Sequence, residues 1–293
     1  MLPPNSIINM HVSLALAEDI GAGDVTATLI PEKKTMSAQL ICRENAILCG
    51  THWFNEVFRQ LDQHSHKSTH IDWHLNDGDQ ITTDQCVCRI QGDARTLLTG
   101  ERTAMNFLQT LSGTASTTAH YVKHLQGSQV KLLDTRKTIP NLRAAQKYAV
   151  HCGGGSNHRH GLFDGILIKE NHIMAAGSIT HAIQYARNTS PHTLKIEVEI
   201  ETLAELQEAL ASKADILLLD NMDNDTLTQA VAINSQAHDP AKLEVSGNIT
   251  DERLSELAQI GIDYISSGAI TKHLRAIDFS LRFIEPKKSV RAS

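Results

Sequence analysis

LKIEVEIETLAELQEALASKADILLLDN, residues 194–221, holds a strand, a helix and a second strand in one run. Ile196, Val198 and Ile200 alternate with Glu197, Glu199 and Glu201, the period of a strand with one apolar and one acidic face. TLAELQEALASK then places apolar residues at helical spacing. ILLL at 216–219 is a short apolar run suited to a strand buried on both faces. The same grammar extends to both sides. VKLLDTRKT, GILIKEN, KLEVSGN and YISSGAI are further short β-rich runs, and AAQKYAV, SITHAIQYARN, NDTLTQAVAINSQ and DERLSELAQIG are the amphipathic stretches among them. From about residue 130 onward the chain reads as βα repeats around a parallel sheet.

Almost every strand in this region ends in polar, reactive residues. Arg136 and Lys137 follow LLD, Lys169 follows LI, Glu199 lies in EVE, Asp220 follows ILLL, Ser246 and Gly247 follow LEV, and Ser267 and Gly268 follow YIS. In an α/β barrel the C-terminal ends of all strands converge on one mouth, whereas an open sheet gathers its chemistry at one switch point. No G-x-G-x-x-G follows the first strand, which counts against a dinucleotide fold. About six strands are visible where a full barrel has about eight, so the barrel is expected to be incomplete.

The region before it, residues 1 to about 113, reads as mixed α and β. ALAEDIGAGDVTATLI is a helix end followed by a glycine-rich turn. SAQLICRENAILCG and TDQCVCRIQG read as strands, and GTHWFNEVFRQL as an amphipathic helix. TLLTGERTAMNFLQTLSGTAS carries Leu97, Leu98, Ala104, Met105, Leu108 and Leu111 at helical spacing, with Arg102, Asn106 and Gln109 sharing a polar face that reads from spacing alone as solvated. The expected divisions are an N-terminal α/β sandwich over 1–113, an α/β-barrel catalytic domain over 114–275 and a C-terminal segment, 276–293, packing back on the first domain.

Composition narrows the function classes. A net charge of −6 over 293 residues provides no global field for a nucleic acid backbone. No apolar run is long enough to span a bilayer, and the N-terminus lacks the basic and apolar regions of a signal peptide. Five cysteines without a Cys-x-x-Cys pair fit reduced thiols, and Cys86 and Cys88 read as strand packing. The expected setting is the cytoplasm. The histidines of QHSHKSTHIDWH (63–74) read as a solvated loop followed by a strand.

Sorted by charge, the strand ends give a cationic group (Arg136, Lys137, His158, Arg159, Lys169) and an acidic one (Glu197, Glu199, Glu201, Asp220). Guanidinium groups clamp carboxylate or phosphate bidentately, so the first group suits a small molecule with more than one acidic function. Carboxylates from neighbouring strands suit Mg²⁺ completed by substrate phosphates. SGNIT (246–250) and SSGAIT (266–271) each put serine and glycine between a strand and a helix, where backbone N–H groups can approach a phosphate. HCGGGSNHRHG (151–161) by itself allows a phosphate loop, a metal site or an anion receptor. Together these point to transfer from a phosphorylated sugar diphosphate to an acidic acceptor.

GERTAMNFLQTLSGTAS, DTRKTIPNLRAAQKYAV, CGGGSNHRHGLFDGILIKENH, IEVEIETLAEL, LLLDNM, EVSGNI and ISSGAIT resemble the quinolinate phosphoribosyltransferases, in the same order and from residue 18 to 271. The resemblance implies an α/β sandwich plus an incomplete α/β barrel, and a homodimer. It implies reaction of quinolinate with phosphoribosyl pyrophosphate, using Mg²⁺, to nicotinate mononucleotide, CO₂ and pyrophosphate in NAD biosynthesis. By resemblance Arg136, His158, Arg159 and Lys169 bind the quinolinate carboxylates, and Arg102 reaches that pocket from the partner subunit, against the solvated reading of its helix face. Lys137, Glu199 and Asp220 serve phosphoribosyl pyrophosphate, the two carboxylates through the metal. Ser246, Gly247 and Gly268 take its 5′-phosphate, and Asn248 and Ser267 also bind phosphoribosyl pyrophosphate. Lys137, Lys169, Glu199 and Asp220 would be the catalytic set. His151 stands where many relatives have arginine, and Lys272 where histidine is frequent. The glycines of 153–155 then deliver His158 and Arg159 to the mouth, and His160 is structural. Three alternatives stay open at this point: a molybdenum-transport-associated relative with another acceptor, a non-catalytic sensor barrel, and an aldolase using Lys169 as a Schiff base.

Overall fold

The computed structural model describes residues 1–284. The chain forms two units. One comprises residues 1–118, 139–154 and the stretch from 273 onward; the other comprises 119–138 and 155–272.

The first unit contains α1 (Asn5–Ile20), β1 (Thr35–Cys42), β2 (Ala46–Ile47), α2 (Thr51–Ser65), β3 (His70–Trp73), β4 (Gln80–Ile81), β5 (Cys86–Asp93) and most of the long α3 (Ala94–Lys123). α1 stops at Gly21, whose φ of 52° few other residues adopt without strain. β1 pairs antiparallel with β5, Ala38 opposite Ile90 and Leu40 opposite Cys88, and β5 pairs in turn with β3. The inward residues of this sheet share a buried cluster with Trp53, Phe54, Val57 and Phe58 of α2 and Leu97, Leu108 and Leu111 of α3. Burying each such side chain stabilises the fold by roughly 1.5–3 kcal/mol. Cys88 lies wholly in this core and Cys86 at its margin; both are free thiols. The histidine-rich stretch ends α2, turns through His66 in the left-handed conformation and enters β3. The expected domain cut at 113/114 falls inside α3, which runs unbroken to Lys123.

The chain continues through β6 (Lys131–Leu133), α4 (Arg143–Cys152, part of the first unit), β7 (Ile166–Ile168), α5 (Glu170–Ala176), α6 (Ile179–Thr189), β8 (Ile196–Ile200), α7 (Leu203–Ala211), β9 (Ile216–Asp220), α8 (Asn224–Ser235), β10 (Lys242–Ser246), α9 (Asp251–Leu257), β11 (Tyr264–Ser266) and α10 (Ala269–Lys272). The six strands form one parallel sheet in the order β6-β11-β10-β9-β8-β7. Strands β7 to β11 follow one another in chain order and β6 joins at β11, so β6 and β7 are the two edges. A parallel bridge from Leu133 to Ser156 lies at the β6 edge. This is an incomplete α/β barrel, preceded in the chain by an α/β sandwich. Side-chain caps start four of the outer helices. Ser178, Thr202, Asp223 and Thr250 each accept the N–H three residues on. α5 buries no residue, which is why no amphipathic pattern announces it.

After the barrel the chain adds β12 (Phe279–Ile284) to the free side of β1, with Leu40 opposite Leu281 and Cys42 opposite Phe279, completing the order β12-β1-β5-β3. Residues 285–293 of the expected returning segment lie outside the described residues. Gly113 marks a close passage: a Cβ there would stand 2.1 Å from the Arg275 carbonyl oxygen.

Candidate active site

The barrel strands place their polar residues in two tiers, because side chains two apart on a strand share a face. The outer tier stands at the C-terminal ends. Glu199 of β8 pairs through Oε2 with the ammonium of Lys169, which follows β7. Asp220 ends β9 and lies in register with Ser246 of β10. Its Oδ1 accepts from the Ser246 hydroxyl and its Oδ2 from Asn221 Nδ2 at 2.9 Å. Gly247 follows with φ +89°, and a Cβ on it would stand 2.0 Å from Asn221 Oδ1. Only glycine fits this turn, and Asn221 (φ 54°) and Asn248 (φ 47°) bend with it. At the next strand end, a Cβ on Gly268 would meet Lys137 Cδ at 2.9 Å, so the missing side chain is what lets the Lys137 stem lie there. Thr271 Oγ1 donates to the Lys137 carbonyl at 2.7 Å and fixes its backbone.

The inner tier is buried. Glu197 of β8 and Glu244 of β10 are 4% and 1% exposed. His158 Nε2 lies 2.9 Å from Glu197 Oε2 and 3.7 Å from Glu244 Oε1. The Arg159 N–H donates to His158 Nδ1 at 2.7 Å. Its Nδ1 thus being an acceptor, His158 carries its proton on Nε2 and donates it to Glu197. Glu197 Oε1 and Glu244 Oε1 are buried without a hydrogen-bond partner. Burial, followed by repulsion from Glu197, pushes the Glu244 carboxyl up to about 7. The loop carrying His158 is held from below: buried Asp134 accepts from the His158 N–H at 3.0 Å and from Asn157 Nδ2 at 2.6 Å.

Arg159 lines, with His158, Glu197 and Glu244, a cavity of about 330 Å³ whose wall also includes Lys131, Ile166, Ile216 and Tyr264, the first residues of β6, β7, β9 and β11, so it opens at the strand starts and not at the strand ends that carry Lys169, Glu199 and Asp220. Arg159 Nη1 donates to the Gly165 carbonyl at 2.9 Å. Burial and then the neighbouring positive charge of Arg136 lower its basicity.

The chain matches the family described as quinolinate phosphoribosyl transferase in two blocks, the N-terminal domain over residues 24–112 and the C-terminal domain over 114–282. The chain belongs to the quinolinate phosphoribosyltransferase family. A Synechocystis protein named "Probable nicotinate-nucleotide pyrophosphorylase (carboxylating)" is 39% identical over 283 residues, covering 97% of this chain and 95% of its own. A Bacillus subtilis protein of the same name is 40% identical over 275 residues, covering 93% and 92%. The solved structure of the nicotinate-nucleotide pyrophosphorylase from Francisella tularensis superposes with a TM-score of 0.91 at 47% identity, over 96% of this chain and 98% of that one.

Within this family frame, the barrel unit contains Arg136, Lys137, His158, Arg159, Lys169, Glu199, Asp220, Ser246, Gly247, Asn248, Ser267 and Gly268. Arg102 lies exposed on α3 in the other unit, with Asn106 exposed on the same helix. Ser267 is buried and internally engaged: its N–H donates to the Leu133 carbonyl at 3.1 Å and its hydroxyl accepts from the Ala269 N–H at 3.2 Å. Glu201 leaves the acidic face. β8 ends at Ile200, and the Glu201 N–H donates to Glu205 Oε2 in the capping box of α7. His151 is exposed in the last turn of α4, and His160 is exposed with its N–H on Asp164 Oδ2. The glycine run serves close packing: a Cβ on Gly153 would stand 2.3 Å from the Ala115 carbonyl oxygen.

Sequence reasoning left Glu244 out. In KLEVSGN it occupies one alternate position of a short strand, which gives no hint of a carboxylate partner two strands away. Asn221 was also left out, although its place after the strand-ending Asp220 signals a backbone turn.

Proposed function

We propose that this protein transfers the phosphoribosyl group of phosphoribosyl pyrophosphate to quinolinate with loss of CO₂, as a carboxylating nicotinate-nucleotide diphosphorylase of NAD biosynthesis. The observation that supports this reading is the cluster at the strand ends: the Lys169–Glu199 pair, Asp220 with Ser246, and the Gly247 and Gly268 turns, the last receiving the Lys137 stem, with Arg136 near enough to Arg159 to lower its basicity. Two guanidiniums that repel each other suit a planar dicarboxylate, which supplies one carboxylate to each in bidentate contact. The glycine turns suit the 5′-phosphate. Lys169 paired with a carboxylate is a held ammonium, which speaks against a Schiff-base lysine, since that role needs a neutral amine in an apolar pocket.

Glu199, Asp220 and the Ser246 hydroxyl form an all-oxygen set at adjacent strand ends, and such hard donors fit Mg²⁺ with substrate phosphates completing its shell. The ion, when bound, neutralises charge on the departing pyrophosphate. The chain's own residues do the rest by placement. Arg136 and Arg159, with Lys169, orient the pyridine so that its nitrogen faces the anomeric carbon. A new C–N bond forms there as the C–O bond to pyrophosphate breaks. The ring nitrogen becomes cationic and stabilises the electron pair left when the adjacent carboxylate departs as CO₂. That carbon then takes a proton from water. Lys137, lying along Gly268, meets the phosphoribosyl donor. His158 acts behind Arg159, holding its backbone through the N–H···Nδ1 bond.

By the same reading the protein is a homodimer in which Arg102 enters the partner's pocket, and it works in the cytoplasm. Among the described residues no helix is long and apolar enough to cross a membrane. The decisive assay is incubation with quinolinate, phosphoribosyl pyrophosphate and Mg²⁺, with CO₂, pyrophosphate and nicotinate mononucleotide measured together. Equal yields of the three are expected. Absence of all three with both substrates saturating would overturn the reading.

A further inference from the structure

A second cluster of metal-ligating groups lies on the barrel unit outside the strand-end site. His120 is in the last turn of α3, and His124 follows one residue past its end, where its N–H still bonds back to the Tyr121 carbonyl at 3.1 Å. Their spacing, i and i+4, puts both rings on one side of the turn, with centroids 5.1 Å apart. Asp251, the first residue of α9, faces them. Its Oδ2 lies 2.7 Å from His120 Nε2 and 3.8 Å from His124 Nε2.

The proton arrangement around His124 decides what this cluster can hold. The Ser255 hydroxyl donates to the Asp251 carbonyl at 3.4 Å, so its oxygen is left to accept from His124 Nδ1 at 3.2 Å. His124 then carries its proton on Nδ1, and its Nε2 lone pair points toward a carboxylate oxygen. Two lone-pair atoms facing each other across 3.8 Å leave a gap of the size and polarity that a cation fills. Ligand atoms around tetrahedral Zn²⁺ stand roughly 3.3 Å apart, given Zn–N and Zn–O distances of about 2.0–2.2 Å. The two observed separations bracket that figure, so small rotations of His120 and Asp251 suffice. The buried trio of His158, Glu197 and Glu244 also has metal-ligand spacing. There, however, Nδ1 is engaged by the Arg159 N–H, so the proton on Nε2 has no second ring nitrogen to move to; His120, whose Nε2 donates to Asp251 Oδ2 at 2.7 Å, can shift its proton to Nδ1 and ligate through Nε2.

We propose that His120, His124 and Asp251 form a binding site for a divalent transition metal, Zn²⁺, with Ser255 as the group that fixes the His124 tautomer. Two imidazoles and one carboxylate select a borderline ion over Mg²⁺, which prefers oxygen and keeps its waters. The partly exposed position leaves water to complete the shell. Bound there, the ion fastens the end of α3 to the start of α9, the helix that follows the Ser246–Asn248 turn. A ligand histidine whose other nitrogen is held by an outer hydrogen bond is the usual arrangement at zinc sites.

The test uses the full-length protein, stripped with a chelator and kept in excess Mg²⁺ so that oxygen sites are occupied. Co²⁺ is titrated first, then displaced with Zn²⁺. One equivalent is expected to give visible d–d bands without the intense near-ultraviolet absorption of thiolate ligation, and Zn²⁺ is expected to remove them. The His120→Ala/His124→Ala double variant should lose this equivalent. Ser255→Ala, which keeps all three ligands, should weaken it by ~10-fold or more. All three side chains are partly exposed, and circular dichroism verifies that the variants remain folded. If the double variant binds Co²⁺ and Zn²⁺ with the stoichiometry and affinity of the parent, or if the parent binds neither, the proposal is overturned. Unchanged affinity in Ser255→Ala would overturn the tautomer argument.

Discussion

Replacing Glu244 with glutamine tests the inner tier directly. Glu244 is 1% exposed, has an unpartnered Oε1, and shares His158 with Glu197. Burial and the Glu197 charge raise its carboxyl from the ordinary 4.5 to about 7. At about 1.4 kcal/mol per pH unit, that difference corresponds to on the order of 3 kcal/mol. Because the folded state holds this proton more tightly than the unfolded chain, the associated stability is fully present below pH 4.5. It is lost as pH rises through about 7. Glutamine keeps the shape, removes the titration and supplies an N–H toward the orphaned Glu197 oxygen. The thermal midpoint of the parent should therefore fall between pH 5 and pH 8 relative to Glu244→Gln, by several degrees at ~2–4 °C per kcal/mol. The variant should be the more stable protein at pH 8. Calorimetric melts of both proteins across that range make the measurement. Superimposable pH dependences would refute the claim that Glu244 is a buried carboxyl held protonated by its neighbours.

Three further outcomes follow from the outer tier and α3. Gly247→Ala puts a methyl onto Asn221 and so disturbs its bond to Asp220; the KM for phosphoribosyl pyrophosphate should rise while that for quinolinate changes little. Arg136→Ala should raise the quinolinate KM or abolish turnover, by ~10–100-fold in kcat/KM for the loss of charge-assisted bonds worth about 1.5–3 kcal/mol; unchanged kinetics would remove Arg136 from the clamp. Arg102→Ala and Arg136→Ala proteins, each impaired alone, should together exceed the sum of their separate activities when unfolded together and refolded as a mixture. No recovery would place Arg102 outside the partner's pocket.

Much of the barrel was legible because its signals are local. Ile196, Val198 and Ile200 against Glu197 and Glu199 announce a strand with one apolar and one acidic face, and the structure buries all of these five but Glu199. ILLL announces β9, and Thr202 with Glu205 announces the start of α7, each within a few residues. The strand-end rule then located the outer tier without knowledge of which strands are neighbours. Short elements with no apolar face, such as α5, left no such mark. Neither did β12, whose partner β1 lies at the other end of the described chain.

The sequence by itself determined the alternation of strands and helices, the polar residue at each strand end, and the family. Each of these rests on periodicity or contiguous motifs, which a linear chain displays. Only the tertiary structure decided which carboxylates meet His158, which of its nitrogens carries the proton, and that His120 and His124 face Asp251. Those relations depend on sheet order and on hydrogen bonds between segments far apart in the chain. They set the charge of Glu244 and the tautomer of His124, and with them the chemistry each cluster can perform.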